Sequence, residues 1–304
     1  MKIVLIVPTK DRPHDIQNLF KSLLSQTRKP DLVIIVDGSD HPIKDIVERY
    51  SSSIAMNYLV CRPPSLPKQR NVGIQNIPED ADWVGFLDDD LVLEEDALSN
   101  LERLIKKQND PLLKGIGLCI LNQPLPKMKF MLRLFLMSGA RPGMLTKAGY
   151  PTAIPTTEED IVTEWLYGGA TFWARDVFTS FKFDEWFFGT GYMEDIDFSY
   201  RVSRRHHLMV SAEAKCNHYH HQIPVSKEAS IGEWQITSWW YFVSKHRDFS
   251  YGLVAWGMLG LVLKNLVAIA YYRTTPYVNR TRGHFKGLLK VLTGKALMLK
   301  GFSK

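Results

Sequence analysis

DWVGFLDDDLVLEED, residues 82–96, decides how this chain is read. Trp83, Val84, Phe86 and Leu87 make a short apolar run, the pattern of a strand buried in a parallel sheet. The run stops at three consecutive carboxylates, Asp88, Asp89 and Asp90. Adjacent negative charges repel one another, so the triplet calls for a cation or basic groups beside it. In open α/β sheets, ligands sit just beyond the carboxyl ends of the strands. Hard divalent cations such as Mg²⁺ and Mn²⁺ prefer carboxylate oxygens and share them with substrate phosphates. Taken alone, the triplet fits equally well an acidic turn before a helix beginning near Glu94.

Working outward, the stretch KIVLIVP (2–8) is a buried strand by its aliphatic run. Ile16, Leu19, Phe20, Leu23 and Leu24 then recur at helical spacing, and 32–36 is a second short strand ending at Asp37-Gly38-Ser39-Asp40. This is a βαβ unit, for which a right-handed crossover and parallel strands are expected. A third strand is expected over 54–60 and a helix over 67–77. A further helix is expected over 94–107, with Ala97, Leu101, Leu104 and Ile105 facing inward. The alternation predicts an α/β layer sandwich. No GxGxxG follows the first strand and no GxxxxGK[ST] occurs, which removes the dinucleotide fingerprint and the P-loop. The strand ends are acidic instead, at Asp37 and at Asp88–Asp90. Such carboxylates suit ribose hydroxyls, base N–H groups and metal-bound phosphates, although Asp37 also fits a plain Asp-Gly turn.

A length of 304 residues is enough for one large or two modest domains. The three cysteines, Cys61, Cys119 and Cys216, are scattered without a CxxC pair. That pattern argues against a disulfide framework or a thiolate metal site and for a reducing compartment. Met1 leads directly into a strand-like run, so no signal peptide is expected. Charge is unevenly spread: residues 249–304 hold nine Lys and Arg with no Asp or Glu, which leaves 29 basic against 32 acidic residues in 1–248. A near-neutral body therefore carries a strongly basic tail.

The ordered set VPTKDR (7–12), VDGSD (36–40), KQRNVG (68–73) and FLDDD (86–90) resembles the N-terminal half of family 2 glycosyltransferases. In the C-terminal half, TEWLYGGATFWARDVF (163–178), FDEWFFGTGYMEDIDFSYRV (183–202) and AEAKCNHYHH (212–221) are similar to later motifs of the same family. The resemblance covers roughly residues 1–222 and is greatest to the rhamnosyltransferase-like branch. It implies a GT-A fold, a Rossmann-like mixed sheet flanked by helices, with a catalytic domain over 1–222. Within that domain 1–110 would bind the nucleotide sugar and 111–222 the acceptor, and 223–304 would be a helical basic extension.

The resemblance also implies roles. Asp88 and Asp90 would hold Mn²⁺ or Mg²⁺ as the acids of a DxD motif around Asp89, joined by His218, with His220 as the alternative if the register slips by two. Pro8, Thr9, Arg12, Asp37, Asp88 and Asp89 would line the nucleotide-sugar pocket, with Lys68 and Arg70 approaching the nucleotide or its phosphates. Trp165, Gly168 and Gly169 would face the acceptor. Asp195 matches the general base of an inverting single displacement, with Glu194 beside it. Carboxylates in a first helical turn are also plain helix-capping groups, which is the competing reading of Glu194 and Asp197. A loop over 187–193 would close over the base.

Outside these motifs, KMKFMLRLFLM (127–137) is basic and apolar, suited to a membrane or acceptor face or to a core helix. Residues 138–157, rich in Gly, Pro and Thr, predict a mobile loop. Residues 253–272 are long enough to span a bilayer, yet Lys264 and Asn265 stand near the middle. Gly257, Gly260, Lys264 and Ala268 fall on one stripe, so a helix packed on protein or lying in a membrane interface is expected. Phe285, Leu288, Leu289 and Leu292 form a further apolar face beside Arg282, Lys286 and Lys290. Trp234, Trp239, Trp240 and Trp256 divide between headgroup anchoring and core packing. The expected enzyme moves a sugar from a nucleotide-sugar donor to a glycan or lipid-linked acceptor, in the cytoplasm and peripherally at an anionic membrane. Nucleic acid is not expected, since no nucleic-acid motif accompanies the basic tail. A catalytically silent nucleotide-sugar-binding module and a metal-dependent nucleotidyltransferase are the alternatives.

Overall fold

Ile3–Thr9 (β1) is buried along its whole length, as its aliphatic run requires, and stands at the heart of the sheet. In the computed structural model, which describes residues 1–124, 129–189 and 191–298, β1 pairs in parallel with Leu32–Asp37 (β2) and Trp83–Leu87 (β4). Met56–Val60 (β3) extends β2 at the outer edge. The helix Pro13–Leu24 (α1) links β1 to β2. It opens on a proline, whose missing N–H costs nothing at a first helical position. The short helix Lys44–Tyr50 (α2) leads into β3, and Leu66–Ile74 (α3) leads into β4. These parallel strands all deliver their carboxyl ends to one edge.

Beyond β4 the sheet reverses. Ala170–Ala174 (β8) runs antiparallel to β4, and Leu113–Ile120 (β6) is antiparallel to β8. The long strand His207–His218 (β9) then runs parallel to β6. Leu91–Leu93 (β5) and Ile161–Thr163 (β7) each add to β9 in antiparallel fashion. The sheet order is β3-β2-β1-β4-β8-β6-β9-β5, with β7 on β9. Ala97–Lys107 (α4) follows β5. Its Ala97, Leu98 and Leu101 join Ile16, Leu19, Phe20 and Leu23 of α1 and Ile3, Leu5 and Val7 of β1 in one buried cluster. The helix Glu194–Ser203 (α6) precedes β9.

The chain divides into two compact units, and the sheet belongs to the first, Met1–Pro124 with Pro155–His220. The second comprises Leu125–Ile154 and His221–Lys304. Residues 125–154, expected in the acceptor half of the catalytic domain, therefore belong with the C-terminal helices. This helical unit contains Lys129–Leu134 (α5), Glu228–Lys245 (α7), Tyr251–Tyr272 (α8) and Thr275–Leu292 (α9). Helices α7 and α9 approach closely at Gly232 and Gly283, where an added Cβ would lie 2.1 and 2.0 Å from a carbonyl oxygen of the other helix. Glu228 pairs with Arg280 at 2.5 Å, and Glu233 with Lys286 at 2.9 Å. The stretch expected to be a mobile loop is irregular but tied down. Thr146 Oγ1 donates to the Leu136 carbonyl at 2.7 Å, and Thr152 Oγ1 to the Arg141 carbonyl at 2.8 Å. Lys127 and Met128 at one end of the basic apolar segment, and the final residues 299–304 of the tail, lie outside the described residues.

One side chain pins the functional edge of the sheet. Buried Gln69 of α3 donates to the Thr9 carbonyl at 2.9 Å and to the Val36 carbonyl at 2.8 Å, joining the ends of β1 and β2. Gln69→Leu removes two buried hydrogen bonds between α3 and the strand ends and is expected to cost about 1–3 kcal/mol in urea denaturation of the full chain.

Candidate functional site

The cluster that could hold a metal ion is built by strand register. After Asp90 the chain turns straight into β5, whose Leu91 stands opposite His218 at the end of β9. The Tyr219 amide donates to the Asp90 carbonyl at 2.9 Å, and His218 Nε2 meets Asp90 Oδ1 at 2.8 Å. Asn122, at the end of β6, clamps the His218 backbone from both sides: its Oδ1 accepts from the His218 N–H at 2.8 Å and its Nδ2 donates to the His218 carbonyl at 3.0 Å. Asp88, Asp90 and His218 each offer a ligand atom, all within 4.8 Å of one another. Burial acts to lower the His218 imidazole, but the hydrogen bond to Asp90 and the charges of Asp88 and Asp90 outweigh it and hold the ring above the usual histidine range. The pocket thus favours positive charge. Two carboxylates and an imidazole are a donor set suited to Mn²⁺ or Mg²⁺. His220 lies against the His218 ring with centroids 3.7 Å apart.

Asp88 is held by a glycine. Its N–H donates to the Gly169 carbonyl at 2.9 Å where β4 ends and β8 begins. A Cβ on Gly169 would lie 2.1 Å from the Asp88 carboxylate carbon, so no other residue fits there without displacing that carboxylate. The middle acid takes a different path. Asp89 is buried, accepting from Thr9 Oγ1 at 2.7 Å and from Arg12 at 2.9 Å. Burial pushes its carboxyl up to about 6 against the pull of Arg12 and Thr9. Arg12 also reaches Asp90 at 3.1 Å, so one guanidinium bridges two members of the triplet.

Three residues expected at the nucleotide have their polar groups engaged within the protein. Arg70 is only 1% exposed, its guanidinium inserted between Asp88, at 3.1 Å, and Glu194. The rings of Phe86 and Phe183 cover it at 5.9 and 5.3 Å. It neutralises a buried acid and holds Asp88 from behind. Asp37 is fully buried, its carboxylate accepting from the Ser39 N–H at 2.7 Å, the Ile43 N–H at 3.0 Å and the Tyr58 hydroxyl at 2.5 Å. It staples its own turn, the alternative its Asp-Gly sequence allowed. Lys68 turns away to donate to the Arg62 carbonyl at 2.8 Å. Thr9 and Arg12 do stand at the triplet, with buried Pro8 just before them in β1.

Glu194 and Asp195 separate although adjacent. Glu194 is buried and turned to Arg70; burial raises its carboxyl and the guanidinium opposes that. Asp195 is half-buried, and its Oδ2 accepts from the Gly168 N–H at 3.1 Å. Burial raises its carboxyl above the ordinary range, the amides of Gly168 and Ile196 and the charge of Arg70 working against it. Asp197 is fully buried and paired with Arg201 one turn on, at 2.9 Å. The step Gly168–Gly169 thus touches Asp195 on one side and Asp88 on the other. Trp165, buried, packs edge-on against Tyr167 at 4.7 Å, and Tyr167 accepts from Gln123 at 3.1 Å. Within the expected 187–193 loop Thr190 lies outside the described residues, while the Gly189 carbonyl accepts from the Leu66 N–H at 3.0 Å.

Asn122, the Arg70–Glu194 pair and strand β5 were not legible as site elements. Asn122 sits in no motif, and Leu91–Leu93 is too short to carry a periodicity.

Residues 4–118 match the family model for glycosyl transferase family 2. No curated protein matches the chain. Among solved structures it is similar to S. aureus TarS, with a TM-score of 0.53 and 15% identity over 94% of this chain, spanning 55% of the TarS chain. TarS 1-349 in complex with UDP-GlcNAc gives a TM-score of 0.53 and 13% identity, covering 97% of this chain and 93% of that one. The mannosyltransferase PcManGT from Pyrobaculum calidifontis, in complex with GDP-Man and Mn²⁺, gives 0.58 and 12%, covering 97% and 88%. At these identities the likeness establishes the fold.

Gly169→Ala is expected to push the Asp88 carboxylate out of place and weaken Mn²⁺ binding about 10–100-fold, the usual effect of disturbing a ligand's support. Calorimetric titration with Mn²⁺ checks this, and an unchanged affinity would remove Asp88 from the ligand set.

Proposed function

Because residues 4–118 match the family model for glycosyl transferase family 2, we propose that the chain is a member of that family and transfers a sugar from a nucleotide-sugar donor to a hydroxyl of a glycan or lipid-linked acceptor by a single, inverting displacement. The observation that carries the reading is the Gly168–Gly169 step, which sets the acid Asp195 and the ligand Asp88 side by side. Such a transfer needs charge compensation at the leaving diphosphate and a base at the acceptor hydroxyl, placed close together.

Asp88, Asp90 and His218 hold the divalent cation, Mn²⁺ or Mg²⁺, in this reading. Bound there, the cation supplies Lewis-acid stabilisation of the charge that develops on the departing nucleoside diphosphate. Arg12, already fixed by Asp89 and Asp90, stands at the same strand ends and adds positive charge toward the donor. Arg70 and Glu194 act as positioning residues in this reading, since the two are buried and bonded to one another behind Asp88. Asp195 takes the acceptor proton. Its raised carboxyl is a stronger base than an ordinary aspartate, and the Gly168 amide fixes its direction. Trp165 with Gly168 and Gly169 forms the acceptor side. TarS binds UDP-GlcNAc and PcManGT binds GDP-Man, two donors that differ in base and sugar, so the similarity supports the donor class. Three buried, unpaired cysteines suit a reducing, cytoplasmic compartment.

Release of nucleoside diphosphate from a panel of nucleotide sugars tests the reaction; pyrophosphate as product would make the chain a nucleotidyltransferase. Asp195→Asn is expected to preserve the fold and Mn²⁺ binding while slowing transfer about 10²–10⁴-fold. A full rate in that variant removes Asp195 as the base, and a product with the donor's anomeric configuration overturns single displacement.

The pH profile gives an independent check. The base must be ionised, so the rate falls as pH drops through the Asp195 pKa. Because that pKa is raised, the acid limb is expected at higher pH than an ordinary aspartate would give. A limb at or below the usual aspartate range would contradict the assignment.

A further inference from the structure

Surface helices of water-soluble proteins turn their polar side chains outward. Helix α8 does the reverse. Its two mid-length polar residues lie toward the helical unit: Asn265 is 3% exposed and Lys264 half-buried, its ammonium lowered by burial. The outward positions include Trp256, Leu259, Leu266, Val267, Ala270 and Tyr271, recurring at three- and four-residue spacing. No charged residue stands among the exposed positions of α8.

The apolar surface continues onto neighbouring elements of the same unit. The Trp256 indole N–H donates to the Leu134 carbonyl at the end of α5, at 2.9 Å. Phe135 is seated against α8 where Gly260 leaves room: a Cβ there would lie 2.2 Å from the Phe135 Cβ. The same short helix α5 exposes Phe130, at 81%, and Leu134. On α9, Phe285, Leu289 and Leu292 form a second exposed stripe. An exposed apolar surface of this extent marks an interaction site.

Charge on the same unit points to the partner. Of the nine basic residues in 249–304, Arg280, Lys286 and Lys290 pair with Glu228 and Glu233 of α7, and Lys300 and Lys304 lie outside the described residues. Arg273, at the end of α8, and Arg282 and Lys295 are exposed and have no acidic partner among the described residues. A second copy of this chain would bring these unneutralised cations against one another. An anionic lipid surface neutralises them and takes up the apolar stripe in its acyl region. Tyr251 and Trp256 near one end of α8, and Tyr271 and Tyr272 at the other, suit the headgroup boundary. We propose that the outward face of α8, extended by Phe130 and Leu134 of α5, docks into an anionic lipid bilayer. The proposal stands independently of the reaction catalysed.

Flotation of the purified full chain with vesicles tests it, comparing phosphatidylcholine alone with phosphatidylcholine containing phosphatidylglycerol. The wild-type chain is expected to float with the anionic vesicles. The double variant Leu259→Glu with Val267→Glu, altered at exposed positions, is expected to lose about tenfold or more in vesicle partition. If that variant fails to fold by circular dichroism, Arg282→Glu with Lys295→Glu serves instead and is expected to weaken binding to anionic vesicles. Three results would overturn the proposal: no flotation of the wild type, equal flotation on neutral vesicles, or a concentration-dependent dimer that the α8 variant splits. Release of nucleoside diphosphate with a soluble acceptor, measured on the same samples, reports separately on the transfer reaction.

Discussion

Three carboxylates in a row can be held at the end of a buried strand only if each finds its own compensation. Here the three solutions differ. Asp88 is answered from beneath by Arg70, Asp89 from the side by Arg12 and Thr9, and Asp90 by Arg12 and His218. The elements that supply these partners are far apart in sequence: β1 and its following loop, α3, and the end of β9. Folding of the first unit is therefore also assembly of the site. An error in any one of the three leaves a charge uncompensated at the sheet edge, which costs more than a lost surface contact.

Burial also divides the labour among chemically identical groups. Asp89 and Glu194 are enclosed and bonded to arginines, and they shape the site from within. Asp195, only half-buried beside Gly168, keeps part of its surface open. Adjacent residues at the start of α6 thus find different surroundings. A helix turns neighbours about 100° apart, so one can face inward while the next faces the cleft.

Much of the fold was legible because its signals are local. The aliphatic runs at β1, β2 and β4 and the helical spacing in α1 and α4 announce a parallel α/β core. The acid cluster and the distant histidine could be named from motif order, and the structure brings Asp88, Asp90 and His218 together. What stayed hidden depends on direction. Arg70 and Asp37 lie in the expected segments, but whether a side chain points to a cleft or into the core is settled by the layer it packs against. Residues 125–154 were assigned by their position along the chain, yet their packing partners come more than 70 residues later, as the contact of Phe135 with Gly260 shows.

The three-residue strand β5 has a consequence for how such a chain can change over time. Elsewhere a surface connection can lengthen at small entropic cost. Between Asp90 and the Leu91–His218 pairing no such slack exists. Side chains alternate across a strand, so a single residue gained or lost there would either turn the side chains of β5 to the opposite faces or move Asp90 out of step with His218. Variation in length is therefore expected to collect in other connections, while the spacing from the acid cluster to the first residue of β5 stays constant among descendants that keep the same chemistry.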